Sequence, residues 1–291
     1  MSTVIDREAP IGMQDGGMED ISHYEHVRRR HFGRYVSALI IVALAAWIAI
    51  SFAKGQIQWP VVRQFLTVQT ILGGLGNTVL MTALAMLMGI VIGVTTAIMR
   101  LSSNPVVSRA ASAYVWFFRG TPVLLQLLLW FNLALVFPYI GIPGLFEVHT
   151  VAVMTPFLAA LLGLGINQGA YTSEVVRAGL ISVDQGQYEA AKAIGMPALQ
   201  ALRRIILPQA MRVIVPPIGN EMIGMVKTTS LASVIQYSEL VHNAENIYYA
   251  NNMVMELLIV AGIWYLVIVS VLTVFQMRLE RRFARGARRT S

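Results

Sequence analysis

Five stretches of this chain hold about 20 mainly apolar residues each, the length a helix needs to cross a lipid bilayer. They run from Tyr35 to Ala53, Leu75 to Met99, Pro122 to Ile140, Val151 to Ala170 and Met255 to Gln276. A sixth, Val213 to Ile235, is apolar except for Glu221 and Lys227, and charges kept at membrane depth point to function. Of the 291 residues 56% are apolar and 13% charged, against about a quarter charged in a soluble domain. The expected fold class is an all-α integral membrane protein with six transmembrane helices.

The net charge of +7 does not signal a nucleic-acid partner, because the arginines fall between apolar runs and form no single patch with interleaved aromatics. It reports topology, since Arg and Lys accumulate in short cytoplasmic loops. Arg28, Arg29, Arg30 and Arg34 precede the first run, and Arg100, Arg109 and Arg119 separate the second from the third. Arg177, Lys192, Arg203, Arg204 and Arg212 follow the fourth, and six arginines from Arg278 to Arg289 follow the last. The opposite loops hold only Lys54 and Arg63. Both termini and the long loop after the fourth run are therefore expected on the cytoplasmic side.

Residues 1–34 show no periodic apolar face and read as a flexible cytosolic tail; residues 277–291 form a second, basic tail. Ser51 and Ala53 resemble the small residues of a signal-peptide cleavage site, but the long leader and long apolar run favour an uncleaved anchor over residues 35–53. The chain has no cysteine, which excludes disulfides and thiolate metal sites. His23, His26, His31, His149 and His242 are scattered without metal-binding spacing, so neither a metal site nor a catalytic residue is assigned.

The loop from Gln187 to Pro208 is polar, basic and helix-forming. Tyr188 to Ala193 reads as one short helix, with Gly195 suited to a left-handed cap and Pro197 to the first turn of the next. Leu199, Leu202, Ile205 and Ile206 share a face of that second helix, leaving Gln200, Arg203 and Arg204 opposite; Pro208 permits a sharp bend into the following span. By composition alone this is an amphipathic connector lying on the bilayer. Its spacing says more. Glu189, Ala190, Ala191, Gly195, Ile205, Leu207 and Pro208 match the EAA loop of ABC-importer permeases, and the chain resembles that family. "GLGNTVLMTAL" (Gly74 to Leu84), "FRGTPVLLQ" (Phe118 to Gln126), "GAYTSEVVRAGLISVDQGQ" (Gly169 to Gln187) and "VKTTSLASVI" (Val226 to Ile235) are similar to the polar amino-acid branch.

The resemblance spans about residues 71–276 and implies a five-span type I permease core, with the first helix extra to it. It further implies a bacterial inner-membrane location. The EAA loop would dock on one of two separate ATPase subunits that bind Mg-ATP, while this chain binds no cofactor and is not itself an enzyme. No G-x-x-x-x-G-K-[ST] phosphate loop occurs here. A second permease, like or unlike, and an extracytoplasmic solute-binding protein complete the expected complex, with a polar amino acid as substrate. Methionine or an oxyanion is the alternative cargo. An ion-coupled secondary transporter is a further alternative, although the matching broken helices that such proteins often carry are not visible.

Candidate path residues are polar groups at membrane depth. Asn167, Tyr171 and Glu174 share a helix face, with Gln168 beside them. Glu174 either meets a substrate ammonium or pairs with Arg177 as an anchor. Gln126 either lines the path or joins helices; Thr78, Asn77 and Asn132 stand equally open. Glu221 and Lys227 lie about 240° apart around a helix and read as a gate or cavity wall. Gly89 and Gly93 form a small-xxx-small pair suited to helix packing.

Overall fold

The computed structural model describes residues 32–142 and 146–284. Most of the expected N-terminal tail and the end of the basic C-terminal tail lie outside the described residues. The chain divides into two units at Gln56–Ile57. The first contains α1 (Phe32–Lys54), whose most apolar window has a mean hydropathy of 2.5 and which encloses the expected Tyr35 to Ala53 anchor.

The second unit begins with α2 (Trp59–Phe65), α3 (Gln69–Arg100), α4 (Pro105–Gly120) and α5 (Val123–Phe131). A two-stranded antiparallel ribbon follows, β1 (Tyr139–Ile142) and β2 (Phe146–His149), in a register that pairs Tyr139 with His149. Then come α6 (Thr150–Val153), α7 (Pro156–Ile181), α8 (Gln185–Ala193), α9 (Ala198–Ala201), α10 (Leu207–Thr228), α11 (Leu240–Asn251) and α12 (Val254–Ala284). Among the described residues, the regular structure is helical apart from this ribbon.

The second and last apolar runs become α3 and α12. The third does not become one straight span. Its helix ends at Phe131, and the stretch to Ile140 turns through a short 3₁₀ segment into β1, where Gly141 takes a φ of +154°. Instead α4 and α5 meet at a 101° corner around Thr121 and Pro122 and are long and apolar enough to cross only as a pair. Proline explains the break, since Pro122 cannot donate to the helix behind it and biases Thr121 to extended backbone; Thr121 has a ψ of 142°. The fourth run is likewise cut, with Thr155 capping α7 by accepting a hydrogen bond from Leu158 N–H at 3.3 Å. By length and apolar composition, α1, α3 and α12 qualify as spans alone among the described residues, and the α4–α5 pair makes a fourth. α7 and α10 are long enough but more polar.

The core of the second unit is the α3–α7 contact, built from glycine on both sides. A β-carbon on Gly89 would lie 2.5 Å from Gln168 Cγ, and one on Gly165 would lie 2.8 Å from Met88 Sδ. Absence of side chains brings the two backbones together, as the Gly89–Gly93 spacing predicts. Thr78 is fully buried at another contact. Its hydroxyl donates to Gly74 O at 3.0 Å and accepts from Leu240 N–H at 3.2 Å, tying α11 to α3.

Candidate functional site

A cavity of about 480 Å³ lies where the α4–α5 corner, α7 and α10 converge. The corner contributes Arg119 and Thr121, α7 contributes Asn167, Gln168 and Tyr171, and α10 contributes Glu221, Gly224 and Thr228. Three of the path residues expected from sequence, Asn167, Tyr171 and Glu221, therefore share one wall system.

Each side chain is fixed by what stands behind it. Glu221 Oε2 accepts from Gln168 Nε2 at 2.7 Å and from Thr172 Oγ1 at 3.2 Å, and Gln168 Nε2 also donates to Thr172 Oγ1 at 3.1 Å. Gly89 and Gly93 press against Gln168 and Thr172, so helix packing positions the donors that orient the carboxylate. Gln126 lies buried behind the wall. Its Nε2 donates to Phe118 O at 3.0 Å and Thr121 Oγ1 at 2.7 Å, while its Oε1 accepts from Asn167 Nδ2 at 3.2 Å. Asn167 also donates to Phe118 O at 2.8 Å. Both amides thus satisfy Phe118 O, a carbonyl at the end of α4 released by the corner.

Glu174 sits one turn beyond Tyr171, outside this cavity, surrounded by arginine. Arg100 approaches it at 2.8 Å, Arg177 at 3.0 Å and Arg119 at 3.4 Å. The Arg100 contact is ionic without hydrogen-bond alignment. One carboxylate cannot neutralise three guanidinium groups, so the cluster carries a positive excess. Arg119 has the longest contact and the most exposed side chain of the three; its Cζ also stands 5.2 Å from the Tyr171 ring centroid, within cation–π range. Arg119 is the residue that joins the charge cluster to the cavity. In the sequence Arg119 stands only as a topological charge, and Thr172 carries no signal of its own.

Lys227 is exposed on α10 and forms no ion pair with Glu221, as their angular separation predicts. Thr78 is held in the α3–α11 contact and does not border the cavity.

The loop between α7 and α10 is a separate feature. Asp184 caps α8 by accepting from Gly186 N–H at 2.8 Å. The far end closes as a Schellman motif: Met196 N–H donates to Ala191 O and Gly195 N–H to Lys192 O, both at 3.0 Å, with Gly195 at a φ of +71°. Ala191 is buried while Glu189 and Ala190 are exposed, and Ile194 beyond them is 73% exposed. The expected bend at Pro208 is absent. Leu202–Ile206 form a π-turn that runs into α10 with helical backbone throughout. A wider turn accommodates a proline whose missing N–H would interrupt an α-helical ladder. Ile206 is buried with Ala97, Val176 and Ala210, Ile205 packs partly against them, and Leu207 and Pro208 are exposed.

A helical membrane unit in which a cation and a carboxylate border one cavity fits a transport permease. The chain belongs to the family of binding-protein-dependent transport system inner membrane components, whose sequence model matches residues 89–285. It is 44% identical over 264 residues to the arginine transport system permease protein ArgU of Corynebacterium glutamicum, covering 90% of this chain and 83% of that one. That coverage leaves too few residues for α1 to fall outside the match. The L-cystine transport system permease protein TcyB of Bacillus subtilis is 36% identical over 79% of this chain and 92% of its own. Among solved structures, the crystal structure of an amino acid ABC transporter with histidines matches at a TM-score of 0.64 and 35% identity, over 73% of this chain and 94% of that chain. The inward-facing MetNI methionine ABC transporter shares the fold at 18% identity and a TM-score of 0.60, over 74% of this chain and 97% of that chain. Family membership makes the chain a transport component and not a catalyst.

Proposed function

We propose that this chain is the permease subunit of an ATP-driven amino-acid importer and that the cavity bordered by Arg119 and Glu221 lies on the substrate's path. The observation that carries this reading is the pairing of one available cation with one carboxylate held by neutral donors around a single cavity. A zwitterion presents the complementary pair, its carboxylate to Arg119 and its ammonium to Glu221. The volume, about 480 Å³, falls in the range of small-molecule sites, roughly 300–1,000 Å³. Relatives named as arginine and cystine permeases support the same class of cargo. Asn167 and Tyr171 form part of the wall, Gln126 holds Asn167 from behind, and Glu174 anchors the arginine cluster.

On this reading both termini and the EAA loop face the cytoplasm of a bacterial inner membrane, in keeping with the arginine distribution. Glu189, Ala190, Gly195, Ile194 and Leu199 form the surface taken by a partner ATPase, which binds Mg-ATP; two such subunits serve two permeases, and a solute-binding protein delivers cargo from outside. The test is reconstitution in liposomes with the ATPase and the binding protein, reading uptake across a panel of amino acids. Glu221→Gln is expected to raise the half-saturating concentration about tenfold, equivalent to 1.4 kcal/mol. Glu189→Lys is expected to abolish co-purification of the ATPase while membrane insertion persists. Unchanged uptake in both variants sinks the proposal.

A further inference from the structure

The ribbon of β1 and β2 presents an apolar face that its own chain leaves uncovered. In the register that pairs Tyr139 with His149, Ile140 stands opposite Val148 and Ile142 opposite Phe146. Alternation along each strand puts these four side chains on one side of the ribbon and Tyr139, Glu147 and His149 on the other. Ile142 and Phe146 are 57% and 56% exposed. On the second side the rings of Tyr139 and His149 lie 4.7 Å apart. The ribbon is therefore amphipathic.

Water is a poor solvent for it. A two-stranded hairpin without a further layer is marginal in water, and a bare apolar face weakens it further. Its root is nevertheless firm. Thr150, fully buried, donates from its N–H to Pro138 O at 3.0 Å and from its hydroxyl to Phe137 O, which closes the base of the ribbon at the start of α6. The surroundings indicate what covers the free face. From Gly120 to Ser173 the sequence holds one charged residue, Glu147, and it lies on the ribbon's polar side. Leu125 and Leu129 are exposed along α5, half of the bent pair that qualifies as a span, and Leu135, Val136 and Phe137 carry the same exposed apolar surface on to the ribbon.

We propose that the ribbon is an interfacial anchor lying in the outer leaflet of the bilayer. Ile140, Ile142, Phe146 and Val148 enter the acyl chains just below the headgroups, while Glu147 and His149 stay in the hydrated layer. Tyr139, an apolar ring with a polar tip, suits that boundary. The ribbon cannot go deeper, because its two outer edges carry backbone groups that need water. A soluble partner would find a single charge here to be steered by; acyl chains need none. The inference rests on the permease reading for the choice of leaflet, since cytoplasmic termini and EAA loop put the segment between α5 and α7 outside.

The chain has no cysteine, so an environment-sensitive fluorophore can be attached at Ile142→Cys, Phe146→Cys or Glu147→Cys in the full chain, assembled with its ATPase in liposomes whose ATPase faces the lumen. Nitroxide on the upper acyl chain is expected to quench the labels at 142 and 146 about threefold more than the label at 147, as for apolar groups about 5–10 Å into the interface. External iodide is expected to give the reverse order. Iodide quenching at 142 and 146 as strong as at 147, or relieved by adding the solute-binding protein, overturns the anchor in favour of a docking face for a soluble protein. Resistance of both labels to both quenchers overturns it in favour of a protein cover. If only luminal iodide reaches the label at 147, the outer-leaflet placement falls, and with it the orientation in the permease reading. Lipid quenching at 142 and 146 in a chain that imports no amino acid supports the anchor and is the failure of the permease reading alone.

Discussion

Gly93 holds Thr172 in position by having no side chain, for a β-carbon on Gly93 would lie 2.6 Å from Thr172 Cβ. Thr172 in turn donates to Glu221 at 3.2 Å. Packing between α3 and α7 is thus continuous with the electrostatics of the cavity. A helix-packing motif here sets the orientation of a charge on a third helix.

Gly93→Val therefore forces α3 and α7 apart and displaces the Glu221 donors. Uptake is expected to fall by about tenfold or more, with a loss of roughly 2 kcal/mol in stability from overpacking, measured by thermal unfolding in detergent. Gly76→Ala is the control. Gly76 has open space around it, and that variant is expected to transport normally.

Replacing Glu174 with Gln removes the anion shared by Arg100, Arg119 and Arg177. Partial exposure moderates the penalty for leaving those cations unpaired, giving an expected loss of about 2 kcal/mol in stability. The anchoring role predicts lower thermal stability with an unchanged half-saturating substrate concentration. A selective rise in that concentration without destabilisation would instead place Glu174 on the substrate's path.

At Gly195 the backbone itself is the constraint. An alanine at a φ of +71° costs roughly 1–2 kcal/mol, and a β-branched residue costs more. Gly195→Val is expected to distort the end of α8 and cut ATPase co-purification, whereas Gly195→Asn, which tolerates the left-handed region, retains most of it.

Glu239 is fully buried between α10 and α11. Its carboxylate accepts from Val241 N–H at 2.9 Å, His242 N–H at 2.7 Å and Tyr265 O–H at 3.0 Å. Glu239→Ala leaves three donors unsatisfied and is expected to cost about 2–3 kcal/mol. Tyr265→Phe, which removes one donor and leaves two, is expected to cost less than half as much in the same unfolding assay.

The sequence showed what depends on local pattern. The positions of α1, α3 and α12 follow from hydropathy, although α3 and α12, at 32 and 31 residues, run well past the apolar stretches, and the Schellman end of α8 follows from one glycine. The third apolar run is not one span because hydropathy averages across Thr121 and Pro122, whose corner is a backbone event that a window of apolar residues conceals. Glu174 and Arg119 are separated by more than fifty positions, so their ion pair required tertiary structure. The link from Gly89 through Gln168 to Glu221 joins three helices, and each residue taken alone has an ordinary explanation in packing or polarity.

The helical run from Ala198 to Thr228, with its π-turn and the interior prolines Pro216 and Pro217, has a mechanical meaning. Its tightest crossing is where Ile214 meets Gly179, with Leu199 on one side and Thr228 on the other at about 22 Å each by helical rise. Pro216 and Pro217 remove two helix hydrogen bonds just beyond that crossing, which makes a joint there. A partner that pushed Leu199 would reach the wall of Glu221, Gly224 and Thr228 only through that joint.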